Sequence, residues 1–135
     1  MAIRVLLVDD NPAHIELLQV LIDLDDELEL AGIASDGDAG VTLAGQLQPD
    51  LIVSDIEMPR LDGLHAIPGY RRAAPTAAVV LMSSRAPGEA ASDARAAGAD
   101  AYIDKGTGVD TTLALVKDVV IHHAASAPQR TSRNN

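Results

Sequence analysis

The stretch Asp50-Leu51-Ile52-Val53-Ser54-Asp55-Ile56-Glu57-Met58-Pro59 decides the fold. Leu51 to Ser54 is a short apolar run with Pro49-Asp50 before it and the acid Asp55 after it. A run this short, apolar at consecutive rather than alternate positions, reads as a strand covered on both faces of a parallel sheet. The same shape recurs to either side. Ile3 to Val8 is apolar except at Arg4 and ends in Asp9-Asp10, Leu28 to Ile33 is a second strand, Ala78 to Met82 ends in Ser83-Ser84, and Ala101 to Ile103 leads to Lys105. Helical patterns fill the gaps. Asn11 is a good N-cap and Pro12 suits the first helical position; Ile15, Leu18, Leu21 and Ile22 then recur at helical spacing to about Leu24. Ala39 to Leu47 follows the turn Asp36-Gly37 and turns Val41, Leu43, Ala44 and Leu47 inward. Met58-Pro59 and Asp62-Gly63 form a loop before a helix over Leu64 to Ala74, which Pro68-Gly69 is expected to kink or break. Glu89 to Ala97 is an Ala-rich helix closed by Gly98, and Val109 to His123 is a last helix with Leu113, Val116, Val119 and Val120 inward. Five strand–helix units in alternation predict an α/β fold, a doubly wound five-stranded parallel sheet with helices on both faces.

Composition narrows the function. At 135 residues the chain reads as one domain, large enough to bury a core without staples. It has no Cys, which excludes disulfides and thiolate metal sites, and no Phe or Trp, so the core is aliphatic. No apolar run is long enough for a bilayer, and the start lacks the features of a secretory signal, so the expected location is cytoplasmic. A net charge of −10 argues against direct nucleic-acid binding. Residues 126–135 are polar, contain Pro128 and lack apolar periodicity; they are expected to be a disordered tail or linker stump after a domain over 1–125.

In open α/β sheets the ligand site lies outside the carboxyl ends of the strands. The predicted strands end at Asp9 and Asp10, at Asp55, at Ser83 and near Lys105. Three carboxylates at one edge repel one another unless a cation joins them, and an all-oxygen set suits Mg²⁺ or Mn²⁺. One carboxylate can then act as a nucleophile toward phosphorus, with Lys105 and Ser83 pairing to the phosphoryl oxygens. Each residue also has a bland reading. Asp10 and Ser83 could be caps, and Lys105 alone would be a solvated loop charge. Five positions of the types one reaction needs, all at carboxyl ends, outweigh those readings together.

The chain resembles the receiver domain of bacterial response regulators from about Ile3 to about His123. The resemblance rests on Val5-Leu6-Leu7-Val8-Asp9-Asp10, on Asp50 to Pro59 with Asp62-Gly63, on Val80-Leu81-Met82-Ser83-Ser84, and on Gly98-Ala99 with Ala101-Tyr102-Ile103-Asp104-Lys105. It implies a flavodoxin-like sheet in the order 2-1-3-4-5 and a phosphorylation-dependent signalling switch rather than a turnover enzyme. It implies Asp55 as phosphoacceptor and Mg²⁺ bound directly by Asp10, by Asp55 and by the Glu57 backbone carbonyl, with Asp9 acting through water. Ser83 becomes the switch hydroxyl, Tyr102 the switch aromatic and Lys105 the partner of the phosphoryl group. The implied partners are a sensor histidine kinase or phosphotransfer protein upstream and an output domain or partner protein downstream, with homodimerisation on phosphorylation as an option. The responsive face would be the fourth helix, fifth strand and fifth helix. The stretch from Asp36-Gly37 through Pro49-Asp50 resembles receivers joined to helix-turn-helix outputs, so a stand-alone receiver and the receiver half of a DNA-binding regulator both stay open.

Three features depart or invite alternatives. Gly106 follows Lys105 where most relatives have Pro, so a cis peptide bond is not expected there and a looser loop is. Glu57 and Arg85 each lie two residues beyond a site residue, as rim modulators that hinder attacking water or as ordinary solvated charges. Glu57 also stands where an aspartyl-nucleophile phosphatase carries its general acid; a degenerate receiver acting as a protein-binding module is the other alternative. His122 and His123 could bind metal, but suit a helix C-terminus better. No Gly-rich phosphate loop follows the first strand, which excludes a nucleotide-binding domain.

Overall fold

The computed structural model describes residues 2–84 and 87–133, with backbone alone for residue 87 and for 125–133. Five strands and five helices alternate: β1 (Ile3–Val8), α1 (Pro12–Asp23), β2 (Leu28–Ala34), α2 (Gly37–Leu47), β3 (Leu51–Asp55), α3 (Gly63–Ala73), β4 (Ala78–Ser83), α4 (Pro87–Ala97), β5 (Ala101–Asp104) and α5 (Val109–Arg133). The strands form one sheet in the order β2-β1-β3-β4-β5, every pairing parallel. This is the doubly wound arrangement that the alternating pattern predicts.

Consecutive strand residues alternate between two cores. Leu6, Val8, Ile52, Val79 and Leu81 pack with Ala44 of α2, Ala66, Ile67 and Tyr70 of α3, and Ala90 and Ala94 of α4. Val5, Leu7, Leu51, Val53, Val80 and Met82 pack with Ile15, Leu18 and Ile22 of α1 and Val116 of α5. Both faces of each central strand are therefore buried, which is why those strands read as continuous apolar runs.

The strands run slightly further than the apolar runs alone indicate. β3 includes Asp55 and β4 includes Ser83, so both polar residues sit on the rigid sheet rather than on loops. Of the kink or break expected at Pro68-Gly69, the break is corrected: α3 is one element over Gly63–Ala73 with Pro68 inside. Pro68, midway along the helix, removes a single backbone donor, and burial of Ala66, Ile67 and Tyr70 outweighs that loss. Gly69 has a packing reason, because a Cβ there would lie 2.7 Å from Val41 Cγ2; the bare backbone lets α3 close on α2. At the other end of the chain, the backbone of α5 continues as helix through residues 126–133, the stretch whose composition suggests a tail or linker.

Candidate functional site

α1 starts where it does because the Asn11 side chain accepts from the Ala13 and His14 N–H groups, with Pro12 at the first helical position. That turn holds Asp9 and Asp10 at the end of β1. Asp9 is buried and Asp10 is exposed. Asp55, buried at the end of β3, completes the group: Asp9, Asp10 and Asp55 each offer a carboxylate oxygen within 4.8 Å of the others. Among the described residues no other group of three or more His, Cys, Asp or Glu brings ligand atoms this close.

Lys105, just past β5, reaches the same place. Its Nζ lies 3.3 Å from Asp9 Oδ2 and 3.2 Å from Asp55 Oδ2. Its backbone N–H donates to the Ser83 carbonyl at 3.0 Å. The loop after it is tied down without a proline. Asp104 Oδ1 accepts the Gly106 N–H at 2.6 Å, and the Asp104 carbonyl accepts from Thr107 at 2.9 Å. These two bonds tie the loop where a looser one was expected from Gly106. No peptide bond among the described residues is cis.

Ser83 ends β4, the strand between β3 and β5, and flanks Asp55. Its hydroxyl donates to Glu57 Oε1 at 2.7 Å, and its carbonyl accepts from the Tyr102 hydroxyl at 3.0 Å. Glu57, Ser83 and Tyr102 thus form one hydrogen-bonded chain from the β3–α3 loop to β5. Arg85, paired with Glu57 in the sequence reading, lies outside the described residues. A shallow depression of about 620 Å³ opens beside this flank, lined by Asp10, Ile56, Glu57, Met58, Pro59 and Leu64.

The electrostatics are asymmetric. Burial, reinforced by the charge of Asp9 and opposed by Lys105, pushes the Asp55 carboxyl up to about 6. Burial also acts against the Asp9 charge, but the hydrogen bonds from His14 and the Asn11 N–H, together with Lys105, outweigh it and hold Asp9 below the usual carboxylate range. Lys105 is held above the usual lysine value, because the Asp55 and Asp9 carboxylates outweigh the burial of its ammonium. One carboxylate oxygen stands out: Asp55 Oδ1 is buried and accepts no hydrogen bond. A buried carboxylate oxygen without a donor is costly unless something positive meets it. Three converging carboxylates and that open oxygen fit a hard divalent cation.

Four residues contribute in ways that the sequence reading does not assign: His14, Ser54, Tyr70 and Gly63. His14 Nδ1 lies 2.6 Å from Asp9 Oδ2. Its only sequence signal is an offset of four from Asp10, in the first turn of α1. Ser54, one residue before Asp55, donates to the Asp55 carbonyl at 3.1 Å and shares a 2.9 Å hydrogen bond with the buried Tyr70 hydroxyl. Burial, partly offset by Ser54, pushes the Tyr70 phenol up to about 12, so it stays a neutral hydrogen-bonding group. Gly63 permits the approach of α3 to β3, since a Cβ there would overlap the Asp55 carbonyl oxygen. The structure keeps two candidates apart from this cluster. His122 and His123 line an open cleft with Arg71, Pro75 and Asp100 at the amino-terminal edge of β4 and β5. His122 Nδ1 lies 2.8 Å from the Asp118 carbonyl, and His123 Nδ1 lies 3.5 Å from Asp100 Oδ1.

Comparison with known proteins places this geometry in a family. The family model described as "Response regulator receiver domain" matches residues 5–117. The transcriptional regulatory protein MctR of Rhizobium johnstonii is 33% identical over 117 residues, 87% of this chain and 55% of that protein. A protein-glutamate methylesterase/protein-glutamine glutaminase of Maricaulis maris is 40% identical over 104 residues, 76% of this chain and 26% of that protein. The chain thus spans about half or less of these curated relatives. The response regulator domain of Thermotoga maritima CheB is 31% identical with a TM-score of 0.78, covering 89% of this chain and 97% of that one. The receiver domain of the putative response regulator NarL of Mycobacterium tuberculosis gives a TM-score of 0.82 at 26% identity, covering 88% and 96%. Among the described residues no helix is long and apolar enough to cross a membrane. The family model, the shared fold and the relatives agree: this chain belongs to the response regulator receiver domain family of two-component signalling.

Proposed function

We propose that this domain is a phosphorylation-dependent switch that accepts a phosphoryl group on Asp55. The observation that carries the reading is the convergence of Asp9, Asp10, Asp55 and Lys105 at one strand edge, with Asp55 Oδ1 buried and without a hydrogen bond. Asp10, Asp55 and the Glu57 backbone carbonyl would hold Mg²⁺, or Mn²⁺, directly, and Asp9 through water. When bound, the ion supplies the positive charge that lets three carboxylates and a phosphoryl group share one site.

The residues of the chain account for the rest. Asp55 sits at the end of β3 with its Oδ1 accepting no hydrogen bond, which suits a nucleophile. An Asp55 oxygen attacks phosphorus of a phosphohistidine on a sensor histidine kinase or phosphotransfer protein. The new O–P bond forms as the P–N bond breaks, and the freed imidazole takes the electron pair. A small phosphoryl donor would serve in the same way. Lys105 leaves Asp9 and pairs with the phosphoryl oxygens. The Ser83 hydroxyl exchanges Glu57 for a phosphoryl oxygen, and Tyr102, hydrogen-bonded to the Ser83 carbonyl, follows it. The added charge of about −1.5 to −2 is what drives these exchanges. Glu57 would act as a rim modulator of phosphoryl loss, together with Arg85.

The rearranged face of α4, β5 and α5 would then control an output domain or partner protein. Residues 1–125 would form the receiver, with 126–135 a tail or linker stump. The test is to add beryllium fluoride and Mg²⁺ and follow amide NMR shifts. Changes at Ser83, Tyr102 and along α4 and α5, absent in Asp55→Asn, are expected. Shifts confined to the residues beside Asp55 would remove the switch from this reading.

A further inference from the structure

We propose that His14 is a positioning residue for the cation site: its ring N–H fixes Asp9 and leaves Lys105 able to abandon Asp9 for the phosphoryl group. The inference rests on the reading of Asp9, Asp10 and Asp55 as a cation site. The argument is an accounting of the Asp9 oxygens. Oδ1 accepts the Asn11 N–H at 2.9 Å. Oδ2 accepts from His14 Nδ1 at 2.6 Å and from Lys105 Nζ at 3.3 Å. A carboxylate oxygen has two lone-pair directions, so Oδ2 is fully used and one direction remains, on Oδ1. An ionised carboxylate only accepts, so Nδ1 of His14 carries the proton and donates it.

Two consequences follow. The carboxylate cannot rotate, because a donor holds each oxygen, and its remaining lone pair points in one fixed direction. Partners of this kind orient the groups around a bound metal and set its affinity. Second, Lys105 stands between two carboxylates, 3.3 Å from one and 3.2 Å from the other. When it moves to a phosphoryl group on Asp55, Asp9 would be left a buried charge with one backbone donor. His14 supplies the side-chain donor that remains, so the departure of Lys105 does not strip Asp9. His14 itself is nearly buried, with 13% of its side chain exposed, and sits on the first turn of α1, which aims it at the site without a loop.

The experiment is a calorimetric titration of the whole chain with Mg²⁺ alone, for wild type, His14→Ala, His14→Asn and His14→Gln. Urea unfolding in chelator checks each fold. The Asn amide places an N–H close to the position of imidazole Nδ1; the Gln amide lies one methylene further out. The expected result is about tenfold weaker Mg²⁺ binding in His14→Ala, most of it restored by Asn and little by Gln. Uptake from a small phosphoryl donor at saturating Mg²⁺ should follow the same order. Binding in His14→Ala equal to or tighter than wild type overturns the proposal while leaving the cation site standing. So does an Asn variant that folds as stably as wild type yet binds no better than Ala. Wild type that takes up no Mg²⁺ overturns both this inference and the site reading beneath it.

Discussion

Replacing Asp55 by Asn should stabilise the cation-free protein. Asp55 is buried to 4% side-chain exposure, with a carboxyl at about 6 against 3.8 for an unperturbed aspartate. The folded state therefore holds its proton more tightly than the unfolded chain does. The sign follows: the contribution of Asp55 to stability is greatest below about pH 4, where both states are protonated, and is lost as pH rises through about 6. Above that window the ionised carboxylate costs the fold roughly 3 kcal/mol, at about 1.4 kcal/mol per pH unit. Asn has the same shape and no charge. It forfeits the attraction to Lys105, which keeps Asp9 as a partner. The net gain near pH 7.5 should be about 1–3 kcal/mol, or several degrees in the thermal midpoint of a domain this size. Urea unfolding in chelator, at about pH 7.5 and about pH 4, measures it. The gain should shrink toward the acid end. Excess Mg²⁺ should narrow it at neutral pH by stabilising wild type. An Asn variant equal to or less stable than wild type at about pH 7.5 in chelator would refute the idea that Asp55 is held as a destabilised charge.

Other substitutions test the neighbouring contacts. Lys105→Ala should lower the rate of phosphoryl uptake by roughly 100-fold, while Mg²⁺ binding is retained or strengthened, since a competing cation is gone; phosphorylation assayed beside a calorimetric titration separates the two. Gly63→Ala should cost roughly 1–3 kcal/mol or more, because the added methyl overlaps the Asp55 carbonyl and something must shift; denaturant unfolding measures it. Tyr70→Phe should cost about 1 kcal/mol by removing the partner of a buried Ser54 hydroxyl, and adding Ser54→Ala should cost less than the sum of the two single changes.

Much of the fold was legible because it is built from one repeated pattern. Runs covered on both faces read as apolar stretches, and each ends where the sheet meets solvent, so Asp9, Asp55 and Ser83 announced themselves by position. Lys105 needed only the rule that such ends share an edge. Pro68 misled because local propensity foresees a lost helix bond but not the burial of Ile67 and Tyr70 around it. At Gly106 the tie that the sequence did not show comes from the Asp104 side chain two residues earlier. His14 left almost no trace: a lone histidine on the first turn of a helix reads as a surface residue until its ring is seen against Asp9. The Ser54–Tyr70 pair spans 16 positions, a distance over which periodicity carries no information.

The most direct test is the intact mass of the protein after incubation with Mg²⁺ and a small phosphoryl donor, for wild type and Asp55→Asn. One phosphoryl adduct in wild type, lost without Mg²⁺ and absent from the variant, is the expected result. Wild type that stays unmodified with both the small donor and a phosphorylated histidine kinase, or an adduct that persists in Asp55→Asn, would contradict Asp55 as the acceptor.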